Sequence, residues 1–277
     1  MFRLRSLKRY SRQVLALIEK EIFMELRFKS KLITRYLNPI IQLLILVFIF
    51  RTIFSSRAGL SIGYWNQSNY ILFLLIAFIL QFSRSITLSY ESIFRREKFR
   101  KTLSAIMVAP VNRFTILVGV LISEFLLNSV PIIIFFIIAL VLFPISIYYI
   151  ILILVIYFLI ILILASIGLL ISIFTISNEE YVPFIKLFLG LNFLFSCSNY
   201  PKEIFPGIVQ YIIIINPFYY IFDLLRLTWY MGYNFEEAIS YISYIHIIII
   251  ILMAILSPII SIYCFNKVFK KYGITGF

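Results

Sequence analysis

Apolar residues along this chain gather into long uninterrupted stretches separated by short polar punctuation. Crossing a hydrocarbon core of roughly 30 Å takes about 20 helical residues, and only a helix satisfies its own backbone in lipid without closing into a barrel. Six stretches fit that description: 37–54, 70–88, 114–142, 146–176, 182–196 and 239–265. They predict an all-α integral membrane protein with six transmembrane helices. The fourth is longer than a perpendicular crossing needs, which implies tilt, and the fifth is short.

Between the fifth and sixth stretches, residues 199–233 are mostly apolar yet broken by Pro201, Pro206, Gly207 and Pro217. The pieces are too short to span. Segments 208–215 and 218–229 read as two half-helices that enter the membrane and return, a geometry tolerated only where backbone is buried in protein or lines a cavity. Ahead of the first span, Val14, Leu15, Ile18, Ile22, Phe23 and Leu26 recur at helical spacing, with Arg12, Gln13, Lys20 and Arg27 mostly on the other side. This predicts an amphipathic helix lying in the membrane interface within segment 1–36, although Glu19 and Glu25 interrupt the stripe.

Charge fixes the expected orientation. Ten Lys and Arg precede the first span, six lie between residues 89 and 113, where Arg95 to Lys101 is expected to form a solvated basic cluster, and Lys267, Lys270 and Lys271 close the chain. Positive residues in short loops are held on the cytoplasmic side. Both termini and the 89–113 loop are therefore expected in the cytoplasm, the 199–233 hairpin outside, and the chain in the cell membrane. The formal charge of +13 needs no nucleic acid to explain it, because 62% of the residues are hydrophobic and no soluble basic face remains to hold one. Anionic membrane lipid is the expected partner of the basic segments.

Cys197 and Cys264 form no CxxC pair and fall near opposite membrane faces on this topology, so neither a disulfide nor a metal site is expected. No apolar segment and small-residue cleavage site follow the basic start closely enough for a removable signal peptide. Tyr64, Trp65, Tyr70, Tyr148, Tyr149 and Trp229 fall where interfacial aromatic belts are expected. His246 stands alone in the last span, as a polar contact rather than a metal ligand.

Charges inside spans mark sites more sharply, since an ionised side chain in hydrocarbon must be paired or face water. Glu124 lies within the third span, and Arg84 in the second is the leading expected partner. Asp223 and Arg226, three residues apart, are close enough for a side-chain pair on one half-helix.

Two segments carry a family resemblance. Arg96-Glu97-Lys98-Phe99-Arg100-Lys101-Thr102-Leu103-Ser104-Ala105-Ile106-Met107-Val108-Ala109-Pro110 is similar to the charged cytoplasmic stretch of type 2 ABC exporter permeases. Phe205-Pro206, then Asn216-Pro217 and Asp223-x-x-Arg226, resembles their outer motif. The order of elements follows that family over nearly the whole chain. In one respect it departs: the family's cytoplasmic stretch usually reads Gly-Thr with an acidic residue soon after, whereas Lys101 precedes Thr102 here and Ser104 follows.

The resemblance implies that Arg95, Arg96, Glu97, Lys98, Arg100, Lys101, Thr102, Leu103, Ile106 and Pro110 belong to a coupling element docking on a separate ATP-hydrolysing subunit. It implies an outer gate containing Pro206, Asn216, Pro217, Asp223 and Arg226, a second permease chain, identical or a sister, and export of a drug, lipid or glycan-like substrate. ATP and Mg belong to the partner subunit, since this chain has no GxxxxGK[ST] loop to cradle phosphate. A membrane-embedded lipid-modifying enzyme is the competing expectation. It would need clustered carboxylates or a metal set, but the acidic doublets Glu179-Glu180 and Glu236-Glu237 fall on opposite sides. A non-transporting assembly factor is the third expectation, and the intramembrane charge argues against it.

Overall fold

The structure, a computed structural model, describes residues 2–56, 61–102, 113–177 and 179–272. Ten α-helices occur among them: α1 (Phe2–Leu26), α2 (Lys29–Ser56), α3 (Tyr70–Phe99), α4 (Arg113–Leu142), α5 (Ile147–Ser177), α6 (Val182–Leu194), α7 (Gly207–Ile215), α8 (Pro217–Tyr233), α9 (Phe235–Tyr241) and α10 (Tyr244–Tyr272). Five, α2 to α5 and α10, contain stretches long and apolar enough to cross a membrane. The chain is thus an all-α integral membrane protein.

The third and fourth expected spans coincide with α4 and α5 to within a residue or two. Elsewhere the boundaries move for identifiable reasons. Helix α3 continues through the charged residues to Phe99, because Arg95, Arg96, Glu97 and Lys98 are acceptable helix formers and polarity alone does not end a helix. The segment expected as a loop from residue 89 therefore opens as helix. The last span starts at Tyr244 rather than 239, since Phe235–Tyr241 forms the separate helix α9 and the chain is extended at Ile242. Helix α6 has only 13 residues, a rise of about 20 Å, short of a full crossing.

Helices α3 and α5 form the central pair. Gly168 of α5 permits their close approach: a Cβ there would sit 2.7 Å from the Thr87 carbonyl oxygen and 2.8 Å from the Tyr90 ring. The Ser83 and Tyr157 hydroxyls hydrogen-bond across the same contact at 2.8 Å. Small residues and interhelical hydrogen bonds are how helices associate where lipid removes the hydrophobic drive. Helix α4 lies on α3, tied by the Tyr90 hydroxyl donating to the Leu117 carbonyl at 2.6 Å. Helix α1 lies on α4, and α10 and α8 cover α5.

Helix α2 packs chiefly on α3 and leaves Leu37, Ile41, Leu44 and Phe48 exposed. Helix α1 does not present the simple stripe expected of it. Ile18 is buried and Leu15, Phe23 and Leu26 are exposed, while Glu21 and Glu25 point into the protein. The aromatic belt is likewise thinner than expected, because Tyr64, Trp65 and Trp229 are buried in the fold whereas Tyr148 is exposed.

Candidate functional site

Three groups of polar side chains stand out against the apolar bundle: a charged cage at one end, a bent-helix assembly at the other, and a cleft between α2, α3 and α6.

At the charged end, side chains of α1, α2, α3 and α4 form one network, and α3 and α6 share a further buried carboxylate. Lys20 of α1 pairs with Glu97 of α3 at 2.7 Å. Arg96 donates to Glu21, and lies 3.4 Å from Glu25. Glu25 is also 3.9 Å from Arg35 of α2, and Arg35 pairs with Glu124 of α4 and donates to the Asn128 amide oxygen at 3.2 Å. Glu91 of α3 bridges Arg95 at 3.3 Å and Lys186 of α6 at 3.0 Å. These carboxylates are nearly inaccessible. Removing one partner from such a pair leaves an uncompensated buried charge, at a cost of about 3–5 kcal/mol, so the cage constrains how α1, α2, α3 and α4 move relative to one another.

This geometry corrects two expectations. Glu124 is paired, but with Arg35 rather than Arg84. Arg35 sits near the start of α2, in a segment read as lying in the interface, so its depth beside Glu124 had no sequence signal. The basic run is not a free solvated cluster either, because Arg96 and Glu97 are held by acidic and basic residues of α1. The signal for that was present: Glu21 and Glu25, one turn apart, lie on one face of α1, and Glu25 interrupts its apolar stripe.

Helix α3 ends immediately beyond the cage. The Thr102 amide donates to the Glu97 carbonyl and the Lys101 amide to the Lys98 carbonyl, each at 3.0 Å, with Lys101 at φ +58°. That is the Schellman termination, in which the residue after the cap adopts the left-handed conformation that glycine takes without strain. Thr102 also donates to the Glu97 carboxylate at 2.5 Å, which joins the turn to the cage. The Lys-Thr dipeptide thus occupies the geometry for which Gly-Thr is suited. Phe99 projects from this terminus with 89% of its surface exposed. Leu103, Ile106 and Pro110 lie outside the described residues.

At the opposite end, Asn216 and Pro217 create the bend. The Asn216 side chain accepts from the Phe218 amide at 3.0 Å and donates to the Asn192 carbonyl of α6 at 2.8 Å, and Pro217 occupies the first turn, where its missing N–H costs nothing. Pro206 immediately precedes α7. Helices α7 and α8 meet at 90°.

Asp223 and Arg226 do not form an ion pair among the described residues. Asp223 accepts from the Tyr64 hydroxyl at 3.0 Å and lies 3.4 Å from Nε2 of His246. Arg226, 1% exposed, donates to the Ser198 carbonyl at 2.6 Å and stacks 4.4 Å from the centre of the Phe73 ring. Each side chain of the expected pair therefore ties α8 to a different neighbour. The turn that brings Tyr64 to Asp223 depends on Gly63, which has φ +60°.

The cleft has a volume of about 520 Å³ and is lined by Asn38 and Gln42 of α2, Gln81 and Arg84 of α3, and Phe193 of α6, with Arg35, Glu124 and Glu25 at its charged end. Arg84 donates to Gln81 at 3.0 Å and to Ser198 at 3.1 Å, with its guanidinium 4.4 Å above the Phe193 ring. These polar side chains face one cleft, where hydrocarbon would leave them without hydrogen-bond partners.

A family model for the ABC-2 type transporter matches residues 12–230. That stretch contains α2 to α7, just over half of α1, nearly all of α8, the charged cage, and the bent-helix assembly apart from His246. The chain belongs to the ABC-2 type transporter family. It is a multi-pass permease subunit of an ABC transporter, and membership implies association with an ABC ATPase subunit. A comparison with curated proteins returns no match. Within the permease, Arg96 and Glu97 of the cage and the turn at Lys101–Thr102 lie on the charged stretch that carries the family resemblance. Gln42, Gln81, Arg35, Glu21 and Tyr64 are members of these assemblies that no motif marks.

Proposed function

We propose that this permease exports its substrate, that ATP is hydrolysed on separate subunits docked at the end of α3, and that the charged cage passes their motion to the membrane helices. The observation carrying this reading is the continuity of one structure: the turn at Lys101–Thr102 is bonded to Glu97, Glu97 to Lys20, and the neighbouring Arg96 to the Glu21–Glu25–Arg35–Glu124 chain. A push on that turn is felt at once by α1, α2 and α4, because breaking any link strands a buried charge.

The charged end is cytoplasmic in this reading, supported by the excess of Lys and Arg there, and the bend at Asn216-Pro217 belongs to a re-entrant outer gate tethered through Asp223 and Arg226. A second permease copy closes the pathway. Its support is the exposed apolar flank of α2, together with the exposed Phe184, Leu187 and Leu191 of α6, on either side of a polar cleft that opens between them.

Recovery of the tagged chain from its native membranes, followed by identification of bound proteins, tests the reading. The expected companion is an ATPase carrying a phosphate-binding loop. Repeated recovery of intact permease with no ATPase contradicts it.

A further inference from the structure

The charges in the cleft do not balance locally. Glu124 is taken by Arg35, and Glu25 by Arg96 and Arg35. Arg84 has no carboxylate within ion-pair distance among the described residues, only the Gln81 amide, the Ser198 hydroxyl and the Phe193 face. Its buried Nε has no acceptor there either. It stands within the apolar stretch 70–88, four residues from its charged end, where a guanidinium without a carboxylate is costly.

The neighbouring amides are oriented the same way. Gln81 accepts from Arg84 through Oε1 and donates through Nε2 to Oε1 of Gln42 at 2.9 Å. Both carbonyl oxygens thus already accept within the relay, and the Gln42 N–H groups make no hydrogen bond among the described residues. A cation and aligned donors form a receptor for an anion. Beside Gln42 and Gln81 lies a shallow apolar groove of only about 10 Å³ between α2 and α3, flanked by Leu43, Leu46, Leu74, Ala77 and Phe78.

We propose that this cleft binds an anionic amphiphile, with a phosphate or carboxylate head on Arg84 and Gln42 and an apolar tail that crosses the shallow α2–α3 groove and lies against the exposed apolar flank of α2. This rests on reading the cleft as the transport route, but the binding itself requires no ATPase, so the two readings fail separately.

Native mass spectrometry of the full chain released from neutral maltoside micelles, titrated with phosphatidic acid or phosphatidylcholine of the same chain length, tests the site. Wild type is expected to retain phosphatidic acid at roughly tenfold lower concentration, the worth of one charge-assisted bond. Arg84→Gln abolishes that preference and Arg84→Lys keeps part of it. If Arg84→Gln does not fold, Gln42→Leu provides the test by weakening the preference without touching the cation. Equal retention of the two lipids by wild type, or an undiminished preference in a folded Arg84→Gln or in Gln42→Leu, overturns the proposal. Excess inorganic phosphate is expected to leave the lipid in place, and full displacement refutes the role of the groove. With the recovered ATPase in proteoliposomes, ATP-driven movement of a fluorescent phosphatidic acid to the opposite leaflet identifies cargo, and retention identifies a resident lipid. Both outcomes keep the site.

Discussion

Lys101 shows how one residue can satisfy a fold at a cost. Its left-handed backbone is imposed by the termination of α3, and a side chain there carries strain of about 1 kcal/mol that glycine avoids. Lys101→Gly is therefore expected to raise thermal stability in detergent by up to about 1 kcal/mol, and a lower melting temperature would contradict the assignment. The Arg35–Glu124 pair makes the opposite prediction. Arg35→Ala strands a buried carboxylate and is expected to cost about 3 kcal/mol, of which Glu124→Gln in the same chain restores about half. Strictly additive losses would show that the two side chains act independently. Glu124 was legible as a site because a carboxylate in an apolar stretch is expensive. Its partner was not, because spacing along the chain carries no record of which cation, 89 residues away, reaches it.

At the scale of elements, hydrophobic length located the spans and helical chemistry refined them. Helices α4 and α5 follow their apolar stretches closely, whereas α3 overruns its stretch because its charged end finds partners on α1. The bend at Asn216-Pro217 was legible, since a proline after a capping residue starts a helix wherever it falls. The separate partners of Asp223 and Arg226 were not, because spacing of three residues permits a contact between them but carries no record of Tyr64 and Ser198, which take the same groups. The tight seam between α3 and α5 yields a test at this scale. Gly168→Ala places a methyl group against the Thr87 backbone, which cannot rotate away as a side chain does. The helices must separate, at an expected cost of about 1–3 kcal/mol seen as a lower melting temperature. Unchanged melting would mean that the seam is looser than described.

For the whole molecule, composition alone dictated lipid as the solvent, and the placement of charge suggested a direction across it. What connects the ends was hidden in the sequence, since the cage, the cleft and the tethers each draw on residues from three or more helices. In the proposed function, force enters at the end of α3 and reaches the pathway through buried ion pairs. Phe99, fully helical in backbone yet almost wholly exposed, is the most direct probe of where that force enters. A photoreactive phenylalanine analogue at position 99, activated in intact membranes, is expected to crosslink to a cytoplasmic ATPase with a phosphate-binding loop. Reaction with an externally added protein or lipid alone, and never with an ATPase, would contradict the account.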